Sequence, residues 1–461
     1  NPVRSVCRVW SLIMLSRTLI AAAGNAGGGE LSYWVAEVYS SNVTEYLGAR
    51  AAVNETNGNI VVRTWNTSNQ WFFELDYDGG LDDSSTTSNT AMPGGGQGGL
   101  VSYGSNTYSL NMSAYSTIRY LDVDDLSLSS FSGKQFSNAV TGFANVPPTK
   151  QMMVVDDSQT DERVVLVMGG YYDYAGFYEP RITAWTYNIT DNNVDSTITR
   201  GLDGNYSGYG VRYPQVAKGT SGKFAISYTE VGANKTGFAT YTGGTTIPYV
   251  HAPSTTNMKN FAIRIDENDK LCAVTAVSNQ HWFWRGTTAG TYTPNVYYAF
   301  NAYSAIGNVI SASIDSAGNM YVLGHQGGLE GYRLLKFNTS NAVEWVLQFK
   351  HQNVSPYVQP FADVNIQSIN GEDFLLLSLV YQVENTNQYP VYIIKAPLDF
   401  ENYTGTYGHI IVSTITFSPT VTTNTFTTSS VNWGTYTTNM GHSNTTQANT
   451  ATTASTTVTD I

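Results

Sequence analysis

One pattern of polar and apolar positions recurs about every fifty residues. A turn signal is followed at once by a short apolar, β-branched run. The clearest copy is Ser313-Ile-Asp-Ser-Ala-Gly-Asn-Met-Tyr-Val-Leu-Gly324. Weaker copies are Asn57-Gly-Asn-Ile-Val-Val62, Asp161-Glu-Arg-Val-Val-Leu-Val167, Ser221-Gly-Lys-Phe-Ala-Ile-Ser227, Asp266-Glu-Asn-Asp-Lys-Leu-Cys-Ala-Val274 and Asn370-Gly-Glu-Asp-Phe-Leu-Leu-Leu377. One gap is about two periods long, and Tyr103-Gly-Ser-Asn-Thr-Tyr-Ser-Leu110 fills it as a degenerate copy. The pattern predicts an all-β chain, a β-propeller of about seven four-stranded blades. Asn-Gly, Asp-Ser-Ala-Gly and Glu-Asn-Asp supply the tight turns that antiparallel neighbours need. A second echo joins Trp65-Asn-Thr-Ser-Asn-Gln-Trp71 to Phe337-Asn-Thr-Ser-Asn-Ala-Val-Glu-Trp345. Each reads as a strand, an Asn/Ser turn and a returning strand that opens with a Trp packed between blades.

The spacing divides the chain into residues 1–29, a propeller over 30–408 and a Thr-rich tail over 409–461. The first part carries Arg4, Arg8 and Arg17 around two apolar runs. A secretory signal, an upstream extension ahead of a start at Met14, and a docking segment hinged at Gly27-Gly28-Gly29 compete for it. The tail alternates in the β manner but buries little apolar area. Either it is disordered, or it pairs with a neighbouring subunit or surface; the second is the expectation here.

Composition narrows the partners. Only 13% of residues are charged, about half the usual share. Hydroxyl and amide groups solvate such a surface, as in extracellular or particle-borne β proteins. The net charge is −12 and no Lys/Arg cluster stands out, so nucleic acid is not an expected partner. No apolar run is long enough to span a membrane as a helix. Cys7 and Cys272 are read as separate thiols rather than a disulfide.

Two stretches resemble known families. Asp315-Ser-Ala-Gly-Asn-Met-Tyr-Val-Leu-Gly324, followed by Leu335-Lys-Phe-Asn338 and Trp345, is similar to the short repeat of bacterial and phage β-propeller proteins. Leu15-Ser-Arg-Thr-Leu-Ile-Ala-Ala-Ala-Gly-Asn-Ala-Gly-Gly28 resembles the opening of virion structural proteins from marine tailed phages, cyanophages in particular. The resemblance implies a virion component, with Arg17, Thr18, Leu19 and Ile20 as docking residues and other virion proteins and copies of itself as partners.

Candidate chemistry is sparse. Three aromatic stretches hold the binding candidates Tyr171, Tyr172, Tyr174, Trp282, Trp284, Arg285 and Tyr297. Such rings stack on sugar C–H faces while polar neighbours read hydroxyls; the same rings also anchor subunit contacts or pack between blades. Asp76-Tyr-Asp-Gly-Gly-Leu-Asp-Asp83 has the oxygens of a Ca2+ loop without the twelve-residue spacing or the closing Glu, so an acidic turn competes with a metal site. The histidines His251, His281, His325, His351, His409 and His442 show no metal spacing, and no cofactor is otherwise expected. The Ser-x-Asp-x-Gly-x-x-Trp turn common in propeller glycosidases is absent, as are phosphate loops and nucleophile elbows.

The expected function is therefore non-enzymatic: a virion protein on the particle exterior, a fibre, receptor-binding or decoration component attaching polyvalently to a host surface glycan or protein. A secreted adhesin or lectin is one alternative. A polysaccharide-degrading propeller is the other, and it requires acids facing one another in the axial pocket.

Overall fold

In a computed structural model, residues 32–40, 46–66, 68–88, 98–114, 117–137, 150–156, 161–174, 177–202, 210–220, 222–230, 235–242, 249–253, 258–277, 279–325, 331–352, 357–358, 362–383, 389–425, 433–436 and 440–461 are described. The docking residues Arg17, Thr18, Leu19 and Ile20, and Cys7, lie outside them.

The chain is all-β and propeller-like. Innermost strands at Gly48–Val53, Leu100–Tyr103, Met153–Asp156, Val211–Lys218, Lys259–Ile265, Asn308–Ile314 and Asp363–Ile369 touch in that order, and the last touches the first. Each leads its own antiparallel sheet outward from the axis. The sheets, numbered below by these strands, are not the uniform four-stranded blades expected. The fourth has four strands, whereas others have five or six, and Gly441–Ala451 joins the first and second into one of nine.

Every recurring phrase falls on the connection leaving an innermost strand, including the degenerate copy at Gly104-Ser105. The cause is local. Asp315 Oδ1 accepts from the Asn319 amide at 2.7 Å, and Asp266 Oδ1 accepts from Asn268 and Lys270 at 3.0 and 2.9 Å. Asn54 does the same for Thr56 at 2.9 Å. Asn370 and Gly371 form the shortest such turn with φ of 54° and 83°, the left-handed pair that a two-residue hairpin demands. The Trp echo is not in register. Its first copy links the second and third strands of its sheet, and its second copy links the third and fourth.

Among the described residues the apolar core is split into seven clusters, each between consecutive sheets. Each sheet is therefore buried on both faces. The ring closes through the N-terminal strand Trp34–Tyr39, which pairs with Val391–Ala396 of the seventh sheet.

The Thr-rich tail pairs with this chain itself rather than with a neighbouring subunit. Ile410–Thr414 adds to the sixth sheet, Thr422–Thr425 to the fifth and Trp433–Tyr436 to the third. Gly441–Ala451 then bridges the second and first, and Ser455–Asp460 covers the closing strand of the seventh. The tail thus runs round the rim against chain order. Its backbone supplies the hydrogen bonds that an outer edge lacks, so strand-prone threonines with little apolar area suffice.

Trp34 is the anchor of closure. It is 1% exposed, and its Nε1 donates to the Tyr77 carbonyl at 3.0 Å. Trp34→Ala is expected to cost about 3–5 kcal/mol, measured as a shift of the urea midpoint; a loss below 1 kcal/mol would separate closure from stability.

Candidate functional site: the axial cavity

The innermost strands surround a cavity of about 470 Å³ on the axis. Its charged lining comes from five places in the ring: Glu55, Lys150, Lys218, Arg264 and Asp363, with Gln367 among the amides.

Lys150 and Gln151 form one wall by crossing the axis. Lys150 Nζ sits 3.1 Å from Asp363 Oδ1, and donates to Ser311 Oγ at 3.0 Å and to the Val364 carbonyl at 2.5 Å. Ser311 Oγ donates in turn to Asp363 Oδ1 at 2.5 Å. Gln151 exchanges two bonds with the Ile263 backbone, at 2.9 and 3.1 Å, and its carbonyl accepts from Val216 at 2.7 Å. Gly99 allows this crossing, since a Cβ there would lie 2.0 Å from the Lys150 carbonyl. Two consecutive residues thus touch sheets two, four, five, six and seven.

Burial pushes the Lys150 pKa down, Asp363 opposes that shift, and the charge of Arg50 adds to it. With three acceptors around it, Lys150 reads as a held ammonium, not a base. Lys218 is different. It stands at the end of an innermost strand, and burial lowers its pKa while Asp156 pulls it back up. Arg264, on the adjacent innermost strand, donates to the Ile314 carbonyl at 2.9 Å. Among the described lining residues the carboxylates are Glu55 and Asp363. Asp363 is consumed by Lys150 and Ser311, and Glu55 accepts from the Gly104 amide at 3.3 Å.

The sequence candidates lie elsewhere. Trp282 stacks on Tyr297 with ring centroids 4.5 Å apart, while Trp284 lies tilted against Tyr297 at 5.0 Å and edge-on to Trp282. Trp284 is fully buried against Phe238 and donates to Thr275 Oγ1 at 2.9 Å, so it has no face left for a ligand. Arg285 spans to the next sheet, donating to the carbonyls of Gly318 and Asn338 at 2.9 and 3.1 Å. Tyr171, Tyr172 and Tyr174 fall in a hairpin, paired with Pro180, Glu179 and Phe177. Asp76 Oδ1 accepts from the amides of Asp78 and Gly80 at 2.9 and 2.8 Å, the bonds of an acidic turn. Cys272 is buried and free. What sequence reading missed, Lys150 with Asp363, carries no local signal, because the partners lie 213 positions apart.

Two outcomes follow. Asp363→Leu leaves the buried Lys150 ammonium without its carboxylate, and is expected to cost about 3–5 kcal/mol by chemical denaturation. Adding Lys150→Met should recover most of that loss; a double variant no more stable than the single one would refute the paired reading. The second outcome concerns pH. His281 is 1% exposed, its Nδ1 accepts from the Ala302 amide at 3.2 Å, and burial pulls its pKa down to about 4. Unfolded, the ring takes a proton near 6.5, so between those values the unfolded chain binds more protons and stability falls as pH falls. The loss is about 3 kcal/mol across that window, and His281→Gln should flatten the slope of unfolding free energy against pH.

No family model and no curated protein matches the chain. Solved structures do. They include a glucose dehydrogenase (10% identity, 66% of this chain and 98% of that one, TM-score 0.36). The polysaccharide lyase Uly1 is another (11% identity, 82% and 95%, TM-score 0.35). A third is the subtype N11 neuraminidase-like protein of A/flat-faced bat/Peru/033/2010 (9% identity, 77% and 96%, TM-score 0.33). Likeness at this level assigns no substrate or reaction. The expectation of a non-enzymatic virion component acting by attachment finds no counterpart among the structures named here, which bear enzyme or enzyme-like names. Of the aromatic binding candidates, Trp282 and Trp284 are buried and Tyr297 packs against both.

Proposed function

We propose that the chain is a seven-bladed propeller enzyme that degrades an acidic polysaccharide, admitting one uronate residue to the axial cavity. Seven innermost strands in contact support the blade count, with the tail strands as additions to blades of four. A cavity of about 470 Å³ is sized for a small polar ligand.

The observation that carries the reading is the charge arrangement. Lys218 and Arg264 line the cavity from adjacent strands, while Asp363 is already neutralised by Lys150. Hydrolysis by paired carboxylates needs two available acids about the scissile bond. Elimination needs a cation beside the uronate carboxylate and a base for the adjacent proton. Arg264 is placed for the first role. Lys218, with its lowered pKa, is placed for the second. Lys218 takes the proton at C5, the electron pair forms the C4–C5 double bond, and the C4–O bond breaks. The leaving oxygen gains its proton from water.

The setting we propose is a phage particle, resting on the resemblance of residues 15–28 alone. There the enzyme would clear host-surface polysaccharide, alongside other virion proteins.

The test is incubation of the full chain with uronate-containing and neutral polysaccharides. Uronate polymers should give an unsaturated product, read by ultraviolet absorbance, and neutral ones none. Arg264→Ala should lower kcat/KM by about 10²–10³-fold. New reducing ends without unsaturation, or no chain cleavage of any uronate polymer, would sink the elimination reading.

A further inference from the structure

The interface between the first two sheets holds an electrostatic anomaly. Its apolar cluster has the fewest described residues of the seven, built on Ala52, Val61, Phe72, Leu121 and Phe131. Three arginines occupy the same interface. Arg50 and Arg63 face one another across paired strands, and both guanidinium groups lie over the Trp65 ring, at 6.0 and 5.4 Å. Arg63 is fully buried and reaches into the second sheet, donating to Ser109 Oγ at 3.0 Å and to the Leu110 carbonyl at 3.1 Å. Arg119 sits in that sheet opposite Asn111, next to the Leu110–Tyr120 pair.

We propose that Arg50, Arg63 and Arg119 form a binding site for a small oxyanion between the first and second sheets. This goes beyond the axial reaction and does not depend on it. Arg119 is 5% exposed, yet its Nε and Nη2 are buried with no hydrogen-bond partner, as is Arg50 Nη1. Buried guanidinium groups are normally paired, because an uncompensated charge out of water is costly. The charges that act on Arg63 are those of Arg50 and Arg119, and both push its pKa down together with burial. The carboxylate that acts on Arg50 is Asp363, which Lys150 already faces. The cluster therefore carries excess positive charge with N–H groups left over. Guanidinium forks match the paired oxygens of sulfate, phosphate or carboxylate. Arg50, half-buried on an innermost strand, stands at the axial end of the cluster.

The experiment measures the thermal midpoint of the full chain in sodium sulfate and in sodium chloride at matched ionic strength. Wild type should show a saturable rise of a few degrees with sulfate. Arg119→Met should lose that rise, and in chloride alone it should be at least as stable as wild type, because a like charge has been removed. An arginine that served packing alone would instead lower the midpoint equally in both salts, and that result overturns the proposal. So does a linear, non-saturating sulfate effect shared by wild type and variant, which is the general action of an excluded salt. Arg50→Met carries the same expectation and decides the matter if the Arg119 variant does not fold. Glucuronate titrated against sulfate separates the two sources of an oxyanion. Competition assigns the site to a sugar carboxylate as well, and no competition restricts it to the free ion.

Discussion

Two-sided burial is the constraint on which this structure depends. Each sheet hides both faces against neighbours, and the seven apolar clusters lie between sheets rather than inside any one of them. A sheet at the end of an open row would leave a face such as Ala36, Val38 and Leu376 in water. Closure is thus a condition for burial, not an ornament on it. The strand Trp34–Tyr39 meets that condition by standing in a sheet whose other strands come from the far end of the propeller. The cost is entropic, since the ends of a long chain must meet before the last faces are covered.

The same constraint shapes the axis. The innermost strands ring an opening that the sheets themselves do not fill. Lys150 and Gln151 answer this by crossing the opening and bonding to several sheets at once. Burying a lysine for the purpose is tolerable because Asp363, Ser311 and the Val364 carbonyl take all of its donors. What remains of the opening is a cavity whose character is set by the charged groups not spent on this crossing, Lys218 and Arg264 among them.

How much of this the sequence disclosed follows from distance along the chain. The turns were legible because their chemistry is local: Asp315 and Asn319, or Asn370 and Gly371, settle their geometry within five residues. Strand content in the tail was legible from alternation, but its partners were not. Pairing of Thr456 with Val38 leaves no mark in either segment. The aromatic run around Trp282 and Trp284 left binding and packing both open, because composition cannot tell a ring aimed at solvent from one stacked on Tyr297, as Trp282 is. Arg50 and Arg63 carry no local signal of their setting, because it is the second sheet that encloses Arg63.

The tail follows from the ring once the rim is considered. Outward-running sheets end in strands with unpaired N–H and C=O groups, which invite pairing with other chains. Sheets of a ring cannot cover one another's outer edges, because their edges point away from the axis. A segment running along the rim can, provided that it contributes backbone and not bulk. Its residues need strand propensity and solubility and little else, and threonine combines the two. Charged groups would be tolerated as well, yet Asp460 alone carries charge there. Hydroxyl groups keep the new outer strand solvated without adding repulsion to a chain that already bears a net charge of −12.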